Sequence, residues 1–412
     1  MNVSAWLPKV FVKLFIKMHT MKIKAAAFVL LGASTLTQAA RNHTDFVQPI
    51  QNQALGALKN AESEAVRYRN STCTLETAGV RRNWDDLDAS QRKEYISAVK
   101  CLLSSPSQTD PALNTGARTR FDDFAAQHIN QTMSVHTLCL VLRASSPERV
   151  RLLWLPSGKS SPVIGLLFGP WTNNAQYWNW FSHQDDLRKS PVFDGSETSM
   201  GSDGLFVPHN GSIGSAGLHI PSGLGGGCIA TGPFANLSAN LGPVQPQQDG
   251  IVGVGTAEKL RYNPHCVKRD LSSWLATRIY TEDAFLNATV RDTARDIASF
   301  QSEIDSQSAG LPGIHAGGHQ TISGSNSDLY SGVVDPAFYL HHTMVDRMYW
   351  LWQALHYSQA KTISGTITFG NSPPSRNATL EDIIELPFLG AEPATLGSLL
   401  DTLDGLYCYV YA

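Results

Sequence analysis

The chain reads as a mainly α protein with a four-helix bundle core, long Gly/Pro-rich loops and few short strands. Three observations predict this. His315 and His319 stand at helical spacing in Ile314–His319, and His342 and Asp346 do so again in Asp335–Gln353. Apolar residues in four further stretches repeat with the 3.6-residue period of an amphipathic helix. Residues 190–265 lack that period and are rich in Gly and Pro instead.

Composition bounds the answer. Of 412 residues 16% are charged and the net charge is −3, which offers no basic surface for nucleic acid. Met21–Ala40, MKIKAAAFVLLGASTLTQAA, has a basic start, an apolar centre and a small-residue end. That is the pattern of a cleaved secretory signal, with cleavage near Ala39 or Ala40. Its apolar run falls short of the ~20 residues that span a bilayer, so no stable membrane association is expected. Met1–Thr20 reads as an upstream extension. The remainder, about 370 residues without repeat or linker, reads as one domain, 41–412.

Two further features fit a secreted protein. N-x-S/T acceptors stand at Asn42, Asn70, Asn130, Asn210, Asn236, Asn287 and Asn377. Six cysteines can form bridges in an oxidising compartment, and sequence order pairs Cys73 with Cys101 and Cys228 with Cys266.

In chain order, residues 45–67 read as an amphipathic helix, with the apolar or small residues Leu55, Ala57, Leu58 and Ala61 among polar ones. Ser90 is the expected N-cap of the next helix, which buries Tyr95, Ile96, Val99 and Leu102. In residues 118–136 Phe121, Phe124 and Ala125 define an apolar face, followed one turn later by His128. The loops of 190–265 contain His209, His219 and His265, which share no metal spacing, and a GLGGGC run without the strand-turn-helix context of a phosphate loop. Thr289–Asp305 is helical, and a Gly-Leu-Pro-Gly turn at Gly310–Gly313 leads into Ile314–His319. There His315 and His319, four apart, lie on one helix face and can reach one metal ion. Asp335 is an N-cap candidate and Pro336 suits the first turn of the last helix, which carries His341, His342 and, four residues on, Asp346. The alternating aromatics of Tyr407–Tyr411 suggest a short strand.

The combination HxxxH, a Ser/Gly/Asn loop and DPxFxLHHxxxD resembles the second-copper motif of the tyrosinases and catechol oxidases, and the chain is similar to their fungal short secreted group. The resemblance implies two copper ions held as a type 3 pair in the four-helix core. It implies that His315, His319 and His342 bind the second copper, and that His128 and His136 bind the first. His341, the non-ligand of its pair, then lines the reaction site with Phe338 and Ala316, while Asp346 accepts the other N–H of His342. The implied activity is oxidation of o-diphenols or o-aminophenols to o-quinones with O2, serving pigment or secondary-metabolite synthesis. Ala316 stands where phenol-hydroxylating members carry Asn, and sequence places neither Glu303 nor Asp305 as the acid that holds their water. The close at Tyr-x-Tyr leads to the expectation of no C-terminal lid domain.

The chain departs from the family at one place. After the second histidine the family continues with a helix containing Trp-His-Arg, whose histidine completes the first copper site. Here Thr137–Trp171 contains no histidine, and Pro147, Pro156, Pro162 and Pro170 interrupt any helix. Family-like sequence returns at Tyr177-Trp178-Asn179-Trp180. The interval 137–174 thus reads as a gene-model error such as a frameshift or retained intron. If it is real, a catalytically impaired relative is the alternative, with His183 as a substitute ligand that no spacing supports. An oxygen-binding copper protein is a further alternative. Cys139 follows rather than precedes His136, which argues against a thioether to a copper histidine.

Overall fold

The computed structural model describes residues 46–65, 73–134, 175–305, 310–403 and 407–412. Residues 50–412 form one compact unit; of the preceding unit, 1–49, only residues 46–49 are described, and 47–49 are the first residues of the first helix. The signal-like segment, Asn42, Asn70, His136 and the interval 137–174 lie outside the described residues.

Helix α1, Val47–Ala65, falls where the apolar period placed it. Helix α2, Ala89–Ser104, buries Tyr95, Ile96, Val99 and Leu102 as expected, but its cap is Asp88 rather than Ser90. Asp88 accepts the Gln91 N–H at 2.9 Å while Gln91 accepts the Asp88 N–H at 3.1 Å. This reciprocal pair satisfies two orphan donors where a lone serine satisfies one. Helix α3, Arg120–Gln131, starts in the same way, with Thr119 and Asp122 capping each other, and buries Phe121, Phe124, Ala125 and His128.

Three short helices follow the loops: α4, Ser273–Ile279; α5, Glu282–Thr289; and α6, Ile297–Asp305. The single helix expected over Thr289–Asp305 is therefore divided. The Thr289 hydroxyl donates back to the Phe285 carbonyl at 2.7 Å and Val290 leaves the helical region, so the β-branched pair ends α5. A 3-10 turn at Asp292–Ala294 then redirects the chain into α6.

Helix α7, Ile314–Ile322, packs against α4, α6 and the long helix α8, Ala337–Leu355; α8 also packs on α5. Two glycines permit the approach. A Cβ on Gly318 would lie 2.0 Å from Cε1 of His341, and one on Gly317 would lie 2.4 Å from Cδ1 of Ile279. Every residue of α8 from Ala337 to Ala354 is buried, so its surroundings, not its amphipathicity, hold it. At its start Asp335 Oδ1 accepts the Ala337 N–H at 2.8 Å, with Pro336 between them.

The tail strand Tyr409–Tyr411 pairs in parallel with Gly79–Arg81, Val410 opposite Val80. This brings Cys408 beside Cys73, and the two form a disulfide across 335 residues. The expected Cys73–Cys101 bridge is thus corrected: Cys101 is a free thiol on α2, its sulfur 3.9 Å from the Ser105 hydroxyl. Sequence order misled because a strand pairing between distant segments, not proximity along the chain, chose the partner. Cys228–Cys266 is present as expected, joining strands in the loop region, where 190–265 is organised into short two-stranded ribbons.

Candidate metal centre

His315 and His319 project from one face of α7, and His341 and His342 project from α8 toward them. One ring nitrogen from each of the four lies within 4.8 Å of the others. His319 Nε2 stands 3.3 Å from His315 Nε2 and 3.1 Å from His342 Nε2.

The protons explain what this means. Nδ1 of His315 meets the Asp305 carboxylate at 2.6 Å, and Nδ1 of His319 meets Oδ1 of Asn326 at 3.0 Å. Both partners are acceptors, so each imidazole carries its proton on Nδ1 and presents a bare lone pair at Nε2. The close Nε2 contact between them is therefore lone pair facing lone pair, which a shared cation relieves. Nitrogens about 2.0–2.1 Å from one ion at tetrahedral angles stand about 3.3 Å apart, which matches the spacing found. These residues fit a metal.

Burial keeps the rings of His319, His341 and His342 neutral, the state a ligand needs. It pushes His319 down to about 3, helped by the neighbouring His315, and pushes His341 and His342 well below the ordinary histidine value, with His319 next in weight. His128 is lowered to about 4, again chiefly by burial, with His315 adding repulsion. Its Nδ1 donates to the Tyr330 carbonyl at 2.7 Å, leaving Nε2 as the acceptor nitrogen. Phe338 touches both groups: its ring stacks on His342 at 3.9 Å between centroids and meets His128 edge-on at 5.1 Å. Ala316 is half-buried on α7 beside His315.

Asp346 does not take the place expected for it. Its Oδ2 accepts from Tyr409 at 2.7 Å, Tyr411 at 2.5 Å and Arg81 at 3.2 Å, while His342 Nδ1 has no hydrogen-bond partner among the described residues. The tail strand and Arg81 claim the carboxylate because together they offer two hydroxyls and a charge. His183 pairs with Asp85 at 3.1 Å near the surface, and His209 stands 3.1 Å from Asp270. His219 and His265 make contacts with the backbone carbonyls of Asn210 and Asn263. None of these joins the cluster. Sequence reasoning missed Asn326 and left Asp305 unplaced; the Ser/Gly/Asn loop and the position ten residues before His315 were the available signals.

A helical frame that gathers buried imidazoles with their lone pairs facing one another defines a site for a transition metal of the kind imidazole suits, copper among them. Residues 171–355 match the family model "Common central domain of tyrosinase". The chain is 31% identical over 352 residues to Tyrosinase P of Aspergillus terreus, covering 82% of this chain and 92% of the relative. It is 30% identical over 356 residues to N-acetyl-6-hydroxytryptophan oxidase of Emericella nidulans, covering 82% and 93%. A polyphenol oxidase structure from Thermothelomyces thermophila superposes with a TM-score of 0.77 at 30% identity, covering 89% of this chain and 98% of that one. The chain belongs to the tyrosinase family, copper enzymes that act on phenols with O2.

Proposed function

We propose that this protein is a secreted type 3 copper oxidase that converts o-diphenols to o-quinones, or o-aminophenols to o-quinone imines, with O2. The observation that carries the reading is the convergence of the His315, His319 and His342 Nε2 atoms, the outer two each 3.1–3.3 Å from that of His319. Those three imidazoles would hold one copper; His128 and His136 would serve a second. Copper in imidazole sites moves between its two oxidation states, so a pair can carry two electrons from a phenol to O2. In balance, two diphenols each lose two electrons and two protons, and one O2 becomes two waters.

The chain's own residues prepare that chemistry. Asp305 and Asn326 fix the rings of His315 and His319 and raise their basicity by accepting Nδ1–H. Phe338, stacked on His342, gives the site an apolar aromatic face on which a phenol ring can rest. Ala316 has no carboxamide to take part in deprotonating a monophenol, which supports diphenols over tyrosine-like substrates. The name of the Emericella relative, an oxidase of a hydroxylated tryptophan, supports a small aromatic metabolite as substrate.

Secretion is supported by the two disulfides and by acceptor asparagines at 130, 210, 236 and 377 that are exposed. Among the described residues no helix is long and apolar enough to cross a membrane. N-terminal sequencing of the exported protein is expected to start just after Ala39 or Ala40.

A second reading, an impaired relative, is favoured by the absence of histidine from Thr137–Trp171. The test is copper content with oxygen uptake on 4-tert-butylcatechol, using protein from a verified transcript. Two coppers per chain with catechol-dependent uptake support the oxidase. One copper without uptake supports impairment, and reversible O2 binding without turnover supports a carrier. A transcript that matches the printed 137–174 overturns the gene-model explanation. Efficient conversion of tyrosine to DOPA overturns the diphenol preference.

A further inference from the structure

Four imidazoles crowd the centre, yet an oxidase needs an open position beside its metal. Something has to keep one of the four from binding. His341 is the one with a partner unlike the others. Its Nδ1 lies 3.0 Å from Nε1 of Trp180, and both residues are fully buried. An indole N–H can only donate, so His341 Nδ1 accepts and carries no proton. A neutral imidazole has one N–H, which must then sit on Nε2.

This tautomer is the reverse of that of His315 and His319, which present bare Nε2 atoms because Asp305 and Asn326 hold their Nδ1 protons. In His341 one nitrogen spends its lone pair on Trp180 and the other is protonated. Neither is available to a metal.

The donor is held firmly. The backbone N–H of Trp178 donates to the Leu340 carbonyl of α8 at 3.1 Å, fastening the YWNW segment one residue before the histidine pair. The Trp180 ring stacks on Tyr280 at 5.3 Å between centroids, with 15° between planes. Gly318, by having no side chain, leaves room for the Cε1–Nδ1 edge of His341, where a Cβ would collide. Ring position and proton position are thus set by separate residues.

We propose that Trp180 is a positioning residue that excludes His341 from coordination, keeping the centre at three imidazole nitrogens by fixing the His341 proton on Nε2. The inference rests on the three-imidazole reading for its consequence. The tautomer itself can be tested without metal.

The first test is nitrogen NMR of the metal-free full chain labelled at histidine, with His341 assigned by its loss in His341→Phe. The expected result is a protonated Nε2 and an unprotonated Nδ1; a protonated Nδ1 overturns the proposal. The second test loads one equivalent of Cu(II) and counts imidazole nitrogens by electron paramagnetic resonance. Wild type is expected to show three, Trp180→Phe four, and Trp180→Phe/His341→Phe three again. A count of three in folded Trp180→Phe overturns the proposal. If Trp180→Phe does not fold, His341→Phe alone decides: three nitrogens retained supports the proposal, and a fall to two overturns it. Failure of the wild type to bind copper through histidine, with the tautomer as expected, would instead count against the metal reading.

Discussion

Replacing Arg269 with methionine tests whether the start of α8 is set by a buried charge pair. Arg269 reaches Asp335 through Nη2–Oδ1 at 2.6 Å and Nε–Oδ2 at 2.8 Å, both side chains fully buried. It also donates to the carbonyls of Met200, Gly201 and Ser202, at 2.8, 3.0 and 3.1 Å. Methionine fills much of the volume but leaves the Asp335 carboxylate without a counter-charge, at a cost of about 3–5 kcal/mol. For a unit of about 360 residues, an unfolding entropy near 2.1 cal/mol/K per residue turns this into a fall in Tm of about 4–7 °C. The double variant Arg269→Met/Asp335→Asn removes the stranded charge and keeps an oxygen for the Ala337 N–H. It should recover part of the loss, though three carbonyls still lack their donor. Scanning calorimetry of metal-free protein at one scan rate reads all three. A fall below about 1 °C in the single variant, or a double variant no more stable than the single, refutes the argument.

Three other outcomes follow from the same reasoning. Asp305→Ala should weaken copper binding about 10-fold, the low end of the 10–100-fold range for such partners. The aspartate side chain is 36% exposed, so water can take over the His315 proton; an unchanged affinity in a chelator competition would contradict the assignment. Cys408→Ser removes the link to Cys73 and should cost about 2–5 kcal/mol, read as a lower denaturant midpoint with a steeper slope, because the unlinked denatured chain exposes more surface. Acid should destabilise the metal-free chain. His128, His319, His341 and His342 all sit below the ordinary 6.5, so the unfolded chain binds protons that the folded one refuses, and stability falls as pH drops from 6.5 toward 4. Asp203, which burial raises to about 6, opposes this together with His183, Asp86 and Glu303, which are also raised, while the lowered His265 adds to it. A Tm that stays level from pH 7 to 5 would refute it.

How much could be read beforehand depended on distance along the chain. HxxxH and the HH pair announced themselves because helical spacing converts directly into a shared face. The amphipathic stretches likewise located α1, α2 and α3. The partners that tune those histidines were hidden, since only the tertiary fold brings Trp180 to His341 or Tyr330 to His128. Asp346 shows the limit most clearly: local spacing aimed it at His342, yet hydroxyls 63 and 65 residues further on took it. The helix breaks at Thr289–Val290, against the apolar period, because the β-branched pair ends α5.

That claim by Tyr409 and Tyr411 has a bearing on biosynthesis. The surroundings of the histidine helix are completed by residues that leave the ribosome long after His342 itself. Until they arrive, Asp346 has only Arg81 of the partners named here to offset its charge, and the clasp from Cys73 to Cys408 cannot close. The helix that carries His341 and His342 therefore gains its full set of neighbours only once the tail is paired with the strand Gly79–Arg81.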